Sequence, residues 1–170
     1  MKTRPATLAD LPTLVDFNAR LALETEHKVL DRDALARGCG AVLEHPDRGF
    51  YTVAERAGEV VGQCLVTCEW SDWRAGWLWW IGSVYVPAAA RRTGVWTALH
   101  GHLLDRARTQ GDVIGIRLYV ERANQVAKAT YARLGMIDAG YDVLELLPLP
   151  PAVQGLAGSQ PGPAPTDTPG

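Results

Sequence analysis

At 170 residues and 18.5 kDa the chain is sized for one domain built around one core. Hydrophobic residues at 47% and charged residues at 21% exclude a wholly disordered or fibrous chain. A formal charge of −2 and a pI near 6.1 supply no broad basic surface for nucleic acid or an anionic membrane, so any anion recognition must be local.

Taken in chain order, the sequence opens with a short polar strand near Lys2 to Pro5. Thr7 then stands as an N-cap before Leu8, Leu11, Leu14, Val15, Asn18 and Leu21 at helical spacing. A second helix is expected over about 31–43, weakened by Gly38 and Gly40. Two antiparallel strands follow, Phe50 to Arg56 and Glu59 to Trp70, joined by the Ala57-Gly58 turn. A third strand, Trp77 to Val86, is rich in aromatic and β-branched residues and ends at Pro87, which has no N–H for a ladder.

Val95, Leu99, Leu103 and Ala107 repeat every fourth position and place a helix over Gly94 to Thr109. A strand from Ile114 to Glu121, a helix from Asn124 to Leu134 and a strand from Met136 to Leu147 complete the domain, 1–147. The order βααβββαβαβ reads as an α/β fold with a mixed sheet flanked by helices. Prolines 148, 150, 151, 161, 163, 165 and 169, set among Gly, Ala, Ser and Thr, make 148–170 a disordered tail on composition.

No apolar run approaches the roughly 20 residues that cross a bilayer. Met1-Lys2-Thr3-Arg4-Pro5 lacks the apolar segment of a secretory signal, which makes the cytoplasm the expected compartment. The three cysteines, Cys39, Cys64 and Cys68, are expected to be buried reduced thiols. The four histidines lack the partner spacing that a zinc site needs, and no metal is expected.

The segment Val84-Tyr85-Val86 to Trp96 runs strand, loop, helix. Amides at a helix N-terminus are unpaired and sit at the positive end of the dipole, so they suit a pyrophosphate. Gly94 admits the anion to the backbone, and Arg91 and Arg92 add charge. The flanking residues Thr93, Val95, Trp96 and Thr97 belong to the same cradle.

On these residues the chain resembles the GNAT acetyltransferase superfamily, whose loop reads Q/R-x-x-G-x-G/A after a strand ending V-x-V. Trp96 departs from the small residue usual at the end of that loop. Leu118, Val120, Asn124, Ala127, Tyr131, Gly135 and Met136 are similar to the family's L-x-V-x-x-x-N-x-x-A-x-x-x-Y-x-x-x-G-[FM] pattern at every named position. The resemblance implies a mostly antiparallel sheet of six to seven strands flanked by four helices and splayed between the fourth and fifth strands. It implies acetyl-CoA as co-substrate, held by the backbone of Val84, Tyr85 and Val86, by Arg91 to Thr97, and by Asn124, Ala127 and Tyr131.

The implied reaction is attack of a primary amine on a thioester through a tetrahedral oxyanion. Tyr131 would protonate the departing thiolate. For the base, Glu69, Glu26, Glu24 and a water held by Ser83 stay open, because no carboxylate lies on the strand Trp77 to Val86. Glu24, Glu26, Trp70, Trp73, Trp80 and Ser83 are the candidates for binding a small-molecule or peptide amine, since carboxylates and indole faces attract a cation. A non-catalytic acyl-CoA sensing module is the alternative, motivated by Trp96 and by the missing strand carboxylate. A P-loop reading fails, because no G-x-x-x-x-G-K-[ST] occurs. Exposed tryptophans and strand edges are compatible with a homodimer.

Overall fold

The computed structural model describes residues 1–148, in two compact units, Met1–Asn124 and the chain from Gln125 onward. The first unit contains β1 (Lys2–Pro5), α1 (Leu11–Glu26), α2 (Arg32–Glu44), β2 (Phe50–Arg56), β3 (Glu59–Ser71), β4 (Gly76–Tyr85), α3 (Val95–Gln110) and β5 (Val113–Leu118). The second contains α4 (Gln125–Arg133).

The five strands lie in the order β1-β2-β3-β4-β5, antiparallel except for the parallel pair β4–β5. Ala57 and Gly58 both take positive φ, 51° and 83°, as the tight hairpin between β2 and β3 requires. Because side chains alternate along a strand, the sheet buries a separate core on each face. On one face Ala54, Cys64, Val66, Trp79 and Ile81 pack with Val95, Leu99, Leu103 and Ala107 of α3. On the other, Tyr51 and Val53 pack with Leu14 and Val15 of α1 and Cys39 of α2.

Close approach between layers rests on Gly62. A Cβ there would meet Val95 Cγ1 at 2.5 Å, so the glycine lets the first residue of α3 rest on β3. At the other end of the sheet, Arg4 makes paired bonds to Asp10 at 2.8 and 2.9 Å and a third to Glu55 at 2.9 Å, tying β1 to the turn that leads into α1. Thr7 caps that turn instead of the helix: its N–H and hydroxyl donate to Asp10 Oδ2 at 2.7 and 3.1 Å, and α1 proper starts at Leu11.

Three expectations are corrected. The sheet has five strands among the described residues, not six to seven. The strand expected over Met136 to Leu147 does not form. Gly135 and Gly140 take positive φ, 83° and 72°, and the Gly140 N–H turns onto Asp138 Oδ1 at 2.8 Å, a local turn that competes with ladder pairing. Ile137, Tyr141, Val143, Leu144, Leu146 and Leu147 are exposed accordingly. Cys39 and Cys64 are buried free thiols, but Cys68, near the end of β3, is exposed. The tail expected over 148–170 lies, from residue 149 on, outside the described residues.

Candidate functional site

The strand that leads into the candidate loop is bent at a defined place. Gln63 of β3 pairs with Tyr85 and Leu65 pairs with Gly82, so Cys64 alone faces both Ser83 and Val84. One extra residue on β4 makes a bulge, and Ser83 carries it at φ 46°, a left-handed conformation that costs a non-glycine residue energy. The bulge is held from below: Gln63, fully buried, donates Nε2 to the Ser83 carbonyl at 3.3 Å. Tyr51, Asn18 and Cys39 form a buried polar cluster on the α1–α2 face, with Asn18 Nδ2 3.3 Å from the Tyr51 hydroxyl. Burial, then the Cys39 contact, push the Tyr51 phenol well above its ordinary range.

Among the described residues β4 has no strand partner on its β5 side after Ile81. The β4–β5 ladder ends at Ile81–Leu118, while β4 runs on to Tyr85. The chain after β5 turns away instead, with the Asn124 N–H donating to the Glu121 carbonyl and the Ala123 N–H to the Glu121 carboxylate. Backbone groups of Ser83 to Tyr85 therefore lie past the end of the β4–β5 ladder.

The loop from Pro87 to Gly94 is braced. Arg91 Nε donates to the Val86 carbonyl at 2.9 Å, and Thr93 Oγ1 donates to the Ala90 carbonyl at 2.7 Å. Arg56 of β2 reaches Thr93 Oγ1 at 2.8 Å, a brace that sequence reading missed. Arg92 sits at φ 61° with its side chain exposed, and Gly94 at φ 82° has nothing within 4 Å of where a Cβ would stand. The first bond of α3 is Ala98 N to the Gly94 carbonyl, so the amides before it open from the helix end. Trp96 packs against the core of the α3 face with its ring 5.7 Å from that of His100. That placement accounts for the departure from a small residue.

Glu24, at the end of α1, joins this loop to the opposite face. Its carboxylate accepts from the Tyr85 hydroxyl at 2.7 Å and pairs with Arg91 Nη2. These two partners, Tyr85 first, hold its carboxyl below the usual range, while burial and then Glu24 raise the Tyr85 phenol. The Tyr85 side chain, 3% exposed and 5.1 Å from Phe17, thus belongs to the α1 interface.

The other candidates divide. Glu69 accepts from Trp80 Nε1 at 2.6 Å and faces Arg117 at 3.5 Å, with Tyr119 stacked on Trp80. Trp70 lies against Trp77 on the α3 face, Trp73 is exposed in the β3–β4 turn, and Glu26 is taken by Lys28 at 2.6 Å, so these three do not join Trp80. Arg117 and Tyr119 were missed in the sequence because only strand register brings them to Trp80. Asn124 ends the first unit. In the second, Ala127 and Tyr131 lie on α4, and burial raises the Tyr131 phenol.

A model of the acetyltransferase (GNAT) family matches residues 14–136. The chain belongs to the GNAT acetyltransferase family. GNAT enzymes use acetyl-CoA as co-substrate, and the bulged β4, the glycine-led helix and the arginines around it fit such a group. Among solved structures, a possible acetyltransferase from Clostridium difficile 630 is 41% identical, with a TM-score of 0.80 over 85% of this chain and 95% of that one. A predicted acetyltransferase with acetyl-CoA from Clostridium acetobutylicum, 18% identical, shares the fold at a TM-score of 0.69 over 85% and 94% of the two chains. A ribosomal-protein-alanine N-acetyltransferase from Brucella melitensis biovar Abortus 2308, 16% identical, does so at 0.69 over 85% and 96%. No curated protein matches the chain. Among the described residues no helix is long and apolar enough to cross a membrane.

Proposed function

We propose that this GNAT protein is an acetyl-CoA-dependent N-acetyltransferase that acylates a primary amine of a small molecule or peptide. The observation that carries the reading is the bulge at Ser83–Val84, set where the β4–β5 ladder stops and followed by the open amides that start α3. Acetyl-CoA supplies an activated acyl group, a thioester carbonyl open to nucleophiles. The chain's part is to hold it and to move protons. Backbone groups of Ser83 to Val86 would bind the pantetheine arm, and the amides from Arg92 to Thr97, with Arg91 and Arg92 beside them, would take the pyrophosphate. Asn124 and Ala127 would flank the arm, as the family pattern implies.

Tyr131, whose phenol burial raises, would give its proton to the departing thiolate. Glu69 is the base candidate on the sheet face that carries Trp80. Glu24 pairs with Tyr85 and Arg91, Glu26 with Lys28 and Glu69 with Trp80 and Arg117, and of the three Glu69 stands beside Trp80. The fold is shared with a protein described as a ribosomal-protein-alanine N-acetyltransferase, which is in keeping with an amine as acceptor. Trp96, one of the two features behind a binding-only module, packs into the core instead.

The test is turnover. Free thiol released from acetyl-CoA is followed across an amine panel for the native chain and Tyr131→Phe. Amine-dependent release, reduced about 100-fold in the variant with acetyl-CoA affinity retained, is the expected result. Binding of acetyl-CoA with no amine-dependent release would defeat the enzyme reading.

A further inference from the structure

The sheet face that carries α1 and α2 is open over one stretch of β4. Strand alternation and register put Trp80 and Gly82 of β4, Glu69 of β3 and Arg117 of β5 on this one face. Gly82 presents bare backbone, since a Cβ built there meets nothing within 4 Å. Next to it stands a flat wall, the Trp80 indole and the Tyr119 ring, 4.6 Å apart and 22° from parallel, with Tyr119 64% exposed. Ser83 and the bulge follow directly in the chain.

Two opposite charges flank the wall. Glu69 Oε2 accepts from Trp80 Nε1 at 2.6 Å, which fixes the carboxylate. Arg117 Nη1 stands 3.5 Å from Glu69 Oε1, a loose pairing, and the guanidinium carbon is 5.5 Å from the centre of the Trp80 ring. The two side chains are 47% and 27% exposed, and a guanidinium has five N–H donors, so each group keeps capacity for a further partner. Arg117 also cancels the charge of Glu69. A purely cationic amine would gain little here, whereas a molecule carrying an ammonium and a carboxylate meets an opposite charge at both ends.

We infer that the acceptor is a zwitterionic amino acid. Its carboxylate pairs with Arg117, its side chain lies against Trp80 and Tyr119, and its amine, drawn in as an ammonium by Glu69, reaches over Gly82 towards the bulge once deprotonated. This rests on the acetyltransferase reading and narrows its acceptor from any primary amine to one bearing a carboxylate. In the reaction the ammonium loses two protons, one recovered by the departing thiolate and one passed to solvent. The amine nitrogen bonds to the acetyl carbon, the carbon–sulfur bond breaks, and the products are the N-acetyl amino acid and free coenzyme A.

The experiment measures kcat/KM by thiol release with L-phenylalanine, L-methionine, L-phenylalaninamide, 2-phenylethylamine and spermidine, and acetyl-CoA affinity by calorimetry. At least one of the two amino acids is expected to exceed the amide and both other amines tenfold or more. Arg117→Gln is expected to close the gap between phenylalanine and 2-phenylethylamine to within twofold. Gly82→Leu, which fills the floor, is expected to raise the amino acid KM tenfold with acetyl-CoA binding retained. Equal or better turnover of the amide, 2-phenylethylamine or spermidine would overturn the inference and leave the acetyltransferase reading standing. Bound acetyl-CoA with no turnover of any amine would overturn both.

Discussion

Replacing Asp10 by Asn tests the tie between β1 and α1, and pH makes the test specific. Asp10 is 7% exposed and accepts two bonds from Arg4 and two from Thr7. The Arg4 bonds, ahead of the backbone and hydroxyl bonds from Thr7 and against the cost of burial, lower its carboxyl from an ordinary 3.8 to about 2. At about 1.36 kcal/mol per pH unit this is about 2–3 kcal/mol of stability. The folded value is the lower one, so the contribution is complete above pH 4 and drains away as pH falls towards 2. Urea unfolding followed by tryptophan fluorescence, run on native chain and Asp10→Asn from pH 7 down to 2.5, should show a gap of about 2–3 kcal/mol at pH 7. Below pH 4 that gap should narrow, because a protonated Asp10 resembles the amide. A gap that stayed constant with pH would refute the assignment of the stability to an ionised Asp10.

Gly62→Ala should destabilise the chain by about 1–3 kcal/mol, seen as a lower Tm, because its methyl would stand 2.5 Å from Val95 Cγ1; an unchanged Tm would show that the β3–α3 contact gives way freely. Glu24→Ala and Tyr85→Phe should each cost about 1–2 kcal/mol, and the double variant little more than either alone, because one hydrogen bond joins them. Additive losses in a denaturation-based cycle would count against that bond.

Much of the fold was legible because its signals are local. The Ala57-Gly58 turn fixed the first hairpin, and the four-residue repeat from Val95 to Ala107 fixed α3 to within one residue at each end. The C-terminal strand was misread because apolar residues from Met136 to Leu147 satisfy a strand pattern that says nothing of whether a neighbour will pair with it. The turn at Asp138–Gly140 is the competing local signal.

The candidate site divides in the same way. Arg91, Gly94 and the strand before them could be read because the loop is contiguous. That Arg91 is held by Glu24, 67 positions away, could not be, since it depends on α1 crossing the sheet beside Tyr85. The bulge at Ser83 was invisible for a related reason: nothing in Gly-Ser-Val marks an extra residue, and only the register with β3 exposes it. Trp80 and Glu69 were singled out by type, yet their meaning changed once β5 brought Arg117 alongside.

The central claim, that the loop before α3 takes the pyrophosphate of acetyl-CoA, is tested most directly by titration calorimetry with acetyl-CoA on the native chain and Gly94→Val. A branched side chain cannot readily keep the φ of 82° found at Gly94. Saturable heat for the native chain, lost in the variant with Tm retained within a few degrees, is the result this account predicts. No heat from the native chain at millimolar acetyl-CoA, or equal binding by both proteins, would contradict it.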